Sequence, residues 1–312
     1  MIAQINKLYN LNNSHIVHKF QAGNCNESFL LIDGVDKYVL RSVNSDIILT
    51  EQCLCIQNAI HENTKIVARP HKSINDRYIE SITLPDGNTK SVSLVNFIEG
   101  ESHEVLEENF LSTILCSLIG HNIAMLHIAL QQVKNLNIRI PRWYEHYNCL
   151  TVDNDKHIEN DAIVDRYLKL RAFYSQELHE NEIIHGDIHF DNIIIGKSGA
   201  FFCDFDDVCF GDYRMDLALL LFDLAIIKNP LGDWKGINTA ANTVINAYNS
   251  YNKEHAVKLE ELYGIFNLLE LKFYIDFRST SYLENGEGWI KRFLTNRKES
   301  IDNNHGFWRT PT

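Results

Sequence analysis

Residues 183–216, IIHGDIHFDNIIIGKSGAFFCDFDDVCFGDYRMD, decide the fold. The apolar pair Ile183-Ile184 delivers His185-Gly186-Asp187, and Asn192 follows Asp187 with four residues between. The β-branched run Ile193-Ile194-Ile195 reads as a strand, Gly196-Lys197-Ser198-Gly199 as a hairpin turn, and Phe201-Phe202-Cys203 as a second short strand. That strand ends at Asp204-Phe205-Asp206-Asp207. Loop, strand, turn, strand and loop in this order predict that Asp187, Asn192 and Asp204 share one end of a two-stranded unit. Three oxygen-bearing side chains gathered there suit a hard divalent cation together with a proton acceptor.

The spacing Asp, four residues, Asn, then a later Asp-Phe repeats the catalytic and magnesium motifs of protein kinases, with His185-Gly186-Asp187 in place of His-Arg-Asp and Asp206 in place of the final glycine. HGDIHFDN followed by CDFDD resembles the aminoglycoside phosphotransferase and choline kinase family, whose fold is protein-kinase-like. The resemblance implies an α+β, two-lobed chain. It has a small N-terminal antiparallel-sheet lobe over residues 1–96, a hinge over 97–101 and a larger, mainly helical lobe over 102–312. It also implies ATP and Mg2+. Asp187 would be the general base or the group that orients the attacking hydroxyl, and Asn192 and Asp204 would hold magnesium. Asp206 would be a further metal ligand or a carboxylate that supports the metal site from behind, because choline kinases carry an acid two residues after their metal Asp. His185 would support the loop. A zinc reading of His185 and His189 fails locally, since the Gly186 and β-branched surroundings do not read as the helix that places such a pair on one face.

The 312 residues suit two lobes better than one core. Hydrophobic content of 45% and charged content of 22% are those of a globular protein. A formal net charge of −12 argues against nucleic acid or an anionic membrane as the main partner and favours a cationic small substrate. Seven cysteines without CxxC spacing read as reduced, buried thiols of a cytoplasmic protein. The first residues, MIAQINKLYNLNN, lack a signal peptide's basic start and apolar stretch. The apolar run Leu217–Ile227 is interrupted by Asp223 and shorter than the roughly twenty residues that span a bilayer.

Upstream, Ile16–Phe20, Phe29–Ile32 and Lys37–Arg41 read as strands, with Asp33-Gly34 a turn. The small and polar loop between the first two strands can cover phosphates with its backbone N–H groups. Its candidate nucleotide contacts are Gly23, Asn24, Cys25, Asn26 and Ser28. Given the resemblance, Arg41 in YVLR stands where kinases carry a phosphate-binding lysine, and its planar fork suits phosphate oxygens. Glu51 opens an apolar-periodic helix, 51–60, and would pair with Arg41. Residues 66–84 alternate like strands, and SVSLVNFI (91–98) ends at Glu99-Gly100. By the resemblance, this last strand leads into the hinge, where the carbonyl of Asn96 and the N–H of Ile98 would meet the adenine edge.

Helical spacing predicts helices over about 110–130, 161–180, 240–251, 260–282 and 290–301, and a buried helix opening at Met215-Asp216. Asp216 reads as a structural acid at that helix start, and His127 as a structural histidine. Glu270, Asp276 and Glu284 are the acids that would receive a cationic substrate. Together these readings predict an ATP-dependent phosphotransferase acting on a small-molecule hydroxyl: an aminoglycoside-like antibiotic, an amino alcohol or a hydroxy-amino acid. The alternatives are a bacterial stress-response Ser/Thr protein kinase and an inactive nucleotide-binding protein. The intact Asp187, Asn192 and Asp204 argue against the last.

Overall fold

The computed structural model describes residues 1–20, 27–44, 46–101, 112–135, 138–146, 161–178, 181–228, 234–278 and 288–308. Gly23, Asn24, Cys25, Asn26 and Glu284 lie outside the described residues. The chain forms two compact units. The first comprises Met1–Glu101, Gln132–Ile140 and Ile194–Asp206; the second comprises Ser102–Gln131, Pro141–Ile193 and Asp207–Thr312. The two-lobed, kinase-like fold is therefore present, with an antiparallel sheet in the first unit and a mainly helical remainder. Two segments of the expected helical lobe, 132–140 and 194–206, nonetheless pack with the first unit.

In the first unit α1 (Ile2–Leu8) precedes β1 (His15–Lys19), β2 (Ser28–Asp33) and β3 (Asp36–Val43). Then come α2 (Ile47–Thr64), β4 (Pro70–His71), β5 (Ile79–Thr83) and β6 (Thr89–Asn96). The sheet runs β1-β2-β3-β6-β4, with β5 also on β6, and every pair is antiparallel. Gly34, at φ +64°, makes the tight β2–β3 turn expected of Asp33-Gly34. Period-two alternation sends successive residues to opposite faces. Leu31, Leu40, Ile82, Val92 and Leu94 join Ile5 and Tyr9 in one core, while Val43, Ile79 and Val95 join Leu54 and Ala68 in the other. Arg41 has the parity of Val39 and Val43, so β3 directs it to the face covered by α2.

Helix α2 begins four residues before the expected Glu51, because Asp46 caps it by accepting from Ile48 N (2.8 Å) and Leu49 N (3.2 Å). Of the alternating stretch 66–84, only β4 and β5 are strands. Between them the chain turns on itself, with Ser73 N donating to Arg77 O at 2.7 Å.

The central stretch contains the expected hairpin, β8 (Ile193–Gly196) and β9 (Gly199–Phe202). It belongs to the first unit because its backbone is hydrogen-bonded there. Ile195 and Glu101 exchange two bonds at 2.9 Å each, and Phe202 N donates to Ile66 O at 2.9 Å.

The second unit holds α3 (Thr113–Gln132, whose last residue falls in the first unit), α4 (Trp143–His146), α5 (Ala162–Glu177) and α6 (Tyr213–Lys228). It continues with α7 (Trp234–Tyr251), α8 (Tyr263–Phe277) and α9 (Gly288–Asp302). A two-stranded ribbon, β7 (Glu182–Ile184) antiparallel to β10 (Cys209–Gly211), lies among them. Helix α6 is the buried helix read at Met215-Asp216, but its N-terminal cap is Asp212, which accepts from Arg214 N at 2.9 Å. Asp216, one turn in, is free of that duty. Among the described residues, α3 alone is long and apolar enough to cross a membrane, and it is largely buried.

Candidate active site

In the second unit, β7 hands the chain to the loop His185–Asn192. Asp216 pins the start of that loop, accepting from His185 N at 2.8 Å and Gly186 N at 2.9 Å while His127 Nε2 lies 3.1 Å away. All three groups are buried or nearly so, so Asp216 is structural, as the sequence implied. Gly186 takes φ +82°, and a Cβ there would sit 2.2 Å from Asp207 O. A side chain such as the arginine of protein kinases has no room at this position.

Asp187 follows in a dense polar cluster. Asn192 Nδ2 donates to the Asp187 carbonyl (2.9 Å) and to Asp187 Oδ2 (3.0 Å), and His189 Nε2 lies 3.4 Å from the same carboxylate. Phe190 N donates to Asp223 Oδ2 at 2.9 Å, which fixes the single 3-10 turn ending at Asn192. Burial would raise the Asp187 carboxyl, but the hydrogen bond and charge of His189, with His185 and Asn192, hold it below the usual range. Burial would likewise lower His189, yet Asp187, Asp223 and Asp191 raise it to about 9. The two shifts share one cause, the attraction between the Asp187 carboxylate and the His189 ring. In general, a weakly basic carboxylate is suited to a proton transfer that comes late, in a reaction with a loose transition state. His189 was read in the sequence only as a rejected zinc ligand. Its signal was its place two residues after Asp187.

In the first unit, Arg41 is forked onto two acids. Nη2 lies 2.9 Å from Asp204 Oδ1 and 3.0 Å from Asp206 Oδ2, and Nη1 lies 3.5 Å from Asp206 Oδ1. Burial works against its charge, but Asp204 and Asp206 raise the guanidinium further. Asp204 itself takes φ +61°, a left-handed conformation that aspartate tolerates better than most residues.

The expected pairing of Glu51 with Arg41 is corrected here. Glu51 accepts instead from Tyr78 N (2.8 Å) and Ile79 N (2.9 Å), where the chain enters β5. Two backbone donors satisfy its carboxylate, and Arg41 has two carboxylates of its own.

Of the remaining nucleotide candidates, Ser28 pairs with Arg41 across β2 and β3, and its carbonyl accepts from Phe20 N at 2.9 Å. Asn96 ends β6 with its N–H on Arg69 O at 2.9 Å and its side-chain oxygen on His71 Nε2. Ile98 packs its side chain against the core under α2, and its N–H has no partner among the described residues. The two described acids among those offered to a cationic substrate are paired within the protein. Glu270 is buried against Arg297 Nε at 2.5 Å, and Asp276 pairs with Lys272 at 2.9 Å, one helical turn away.

Taken one at a time, the two candidate metal ligands have chemistry that suits magnesium. With its Nδ2 turned to Asp187, Asn192 offers Oδ1, and Asp204 keeps Oδ2 clear of Arg41. Both are the hard oxygen ligands that this ion prefers.

An antiparallel sheet in one unit, a mainly helical remainder, and an aspartate and asparagine five residues apart on one loop are features of a kinase-like fold. The sequence profile described as the phosphotransferase enzyme family matches residues 16–248, three quarters of the chain. The chain belongs to that family and is an ATP-dependent kinase. No protein of curated function matches it in sequence.

Among solved structures, it resembles an amicoumacin kinase in complex with AMP-PNP, Ca2+ and Ami (TM-score 0.74, 14% identity, covering 99% of this chain and 94% of that one). It also resembles a microcompartment-associated aminopropanol kinase (TM-score 0.64, 14% identity, 97% and 98% covered). A third similar structure is a spectinomycin phosphotransferase with ADP and spectinomycin (TM-score 0.60, 15% identity, 97% and 94% covered).

Proposed function

We propose that this kinase transfers the γ-phosphate of ATP to a hydroxyl of a small molecule in the cytoplasm, with Asp187 orienting that hydroxyl and accepting its proton. The observation that carries the reading is the Asp187 cluster, in which Asn192 and His189 keep the carboxylate ionised and aimed. Arg41 binds phosphate oxygens, and Asn192 and Asp204 hold magnesium, which neutralises charge on the phosphates when bound. The backbone carbonyl of Asn96 and N–H of Ile98 meet the adenine edge, and Ser28 lies on the phosphate side. Among the described residues, Cys53, Cys55, Cys116, Cys203 and Cys209 are in no disulfide bond, consistent with a reducing compartment.

The acceptor class is an aminoglycoside-like antibiotic, an amino alcohol or a hydroxy-amino acid. Its amine, if it carries one, is met by groups other than Glu270 and Asp276, whose charges are spent on Arg297 and Lys272.

The test is an ATP-consumption screen with magnesium across those three acceptor classes, followed by Asp187→Asn on the best acceptor. The variant is expected to lose at least about a thousandfold in kcat while binding an ATP analogue as before. Undiminished turnover in Asp187→Asn would remove Asp187 from the chemistry. Phosphorylation of a generic protein substrate with no small-molecule turnover would replace the proposed acceptor class.

A further inference from the structure

We infer that Asp206, and not Glu51, is the residue that positions Arg41 for the nucleotide phosphates; this rests on the proposal that ATP phosphates are what Arg41 binds. In a kinase-like chain a helix glutamate is the expected partner of the strand cation. Here that glutamate is engaged elsewhere. The Glu51 carboxylate spans Tyr78 N and Ile79 N, one oxygen to each. Turning it to Arg41 would strip both donors of their acceptor.

Asp206 offers what a guanidinium requires. Its two oxygens face the two terminal nitrogens of Arg41, Oδ1 toward Nη1 at 3.5 Å and Oδ2 toward Nη2 at 3.0 Å. This is the side-by-side fork that a lysine cannot form. The pair is partly shielded, with side-chain exposures of 17% for Arg41 and 24% for Asp206, so it is screened less than a surface pair. The Asp206 carbonyl lies 3.9 Å from Cys53 Sγ on α2, a weak tie between the turn and the helix.

Asp204 uses one oxygen on Arg41 and keeps the other for a cation. The two acids of the DFD triplet thereby divide the work. Asp206 aims the arginine, and Asp204 faces both arginine and metal. Glu51 is left to brace α2 against β5.

The test is a pair of double-mutant cycles read by calorimetry, with a non-hydrolysable ATP analogue in EDTA so that no metal contributes. Asp206→Asn and Arg41→Lys are each expected to weaken binding about fivefold, with the double variant little weaker than either single. Effects of Glu51→Gln and Arg41→Lys are expected to multiply. Asp206→Ser repeats the first cycle if Asp206→Asn does not fold.

Coupling of Arg41 to Glu51, or additivity with Asp206, overturns the inference. So does metal-free binding that is unchanged by Asp206→Asn while the magnesium concentration for half-activation rises, since Asp206 would then be a metal ligand. A wild-type protein that binds no nucleotide either in EDTA or with magnesium overturns the ATP reading together with the inference; the other outcomes overturn the inference alone.

Discussion

At the scale of single residues, the motifs legible in the sequence were those whose chemistry is local. Asp187 and Asn192 lie five apart, and a short loop suffices to bring them together. The partner of Arg41 was not legible, because Asp204 and Asp206 lie 163 and 165 residues further on. A helix acid ten residues away looked the nearer choice. Nothing in the residue types says that Glu51 would meet two backbone N–H groups first. Gly186 is the residue whose necessity the structure adds. Substituting it by alanine forces a side chain into φ +82° and against a carbonyl at 2.2 Å. Gly186→Ala is expected to lose about 1–3 kcal/mol from the backbone alone, and more from the displaced Asp207 carbonyl. A denaturant titration reads the loss. A melt unchanged from wild type would show that the loop relaxes freely.

At the scale of elements, strand positions were readable from alternation and helix cores from periodicity. Boundaries failed where a cap or a turn decided them, as at Asp46 before α2 and Asp212 before α6. The edge of the sheet carries one electrostatic clasp that the sequence did not suggest. Glu27, just before β2, accepts from both Lys19 on β1 and Lys90 on β6. Their hydrogen bonds hold its carboxyl down, to about 2 from 4.5. A depressed acid stabilises the fold above its unfolded pKa, and that contribution is lost as pH falls through the folded value. The melting-temperature gap between wild type and Glu27→Gln is therefore expected to be full above pH 4.5 and to close toward pH 2. The gap should also shrink in high salt, because the side chains are half-exposed. A gap that widens on acidification would contradict the clasp.

At the scale of the whole molecule, the fold class was legible because several weak signals fell in one order along the chain. Which segments pack together was not. Aromatic closure in the second unit is one such long-range feature. Phe307 meets Phe222 of α6 at 4.4 Å between ring centroids, and Trp308 stacks on Phe266 of α8 at 4.5 Å. Trp308 Nε1 donates to Asn238 Oδ1 of α7 at 3.0 Å. Three helices are thus joined by two adjacent residues near the end of the chain. Phe307→Ala is expected to cost about 3–5 kcal/mol, seen as a lower midpoint in denaturant with the slope unchanged. A change below half a kcal/mol, or about that, would mean the neighbouring rings refill the space.

The hairpin of β8 and β9 has a consequence for how the protein is born. Its backbone completes the first unit through Glu101 and Ile66, yet roughly a hundred residues separate Glu101 from Ile194. At a ribosomal pace of about 5–20 residues per second, the N-terminal sheet waits on the order of 5–20 s for that hairpin to be made. During this interval the backbone groups at Ile66 and Glu101 that will receive it lack these partners. A fragment ending at residue 101 carries the same gap permanently, so the sheet that looks like a free-standing domain in the first third of the chain is completed only once the chain has been made as far as Asp206.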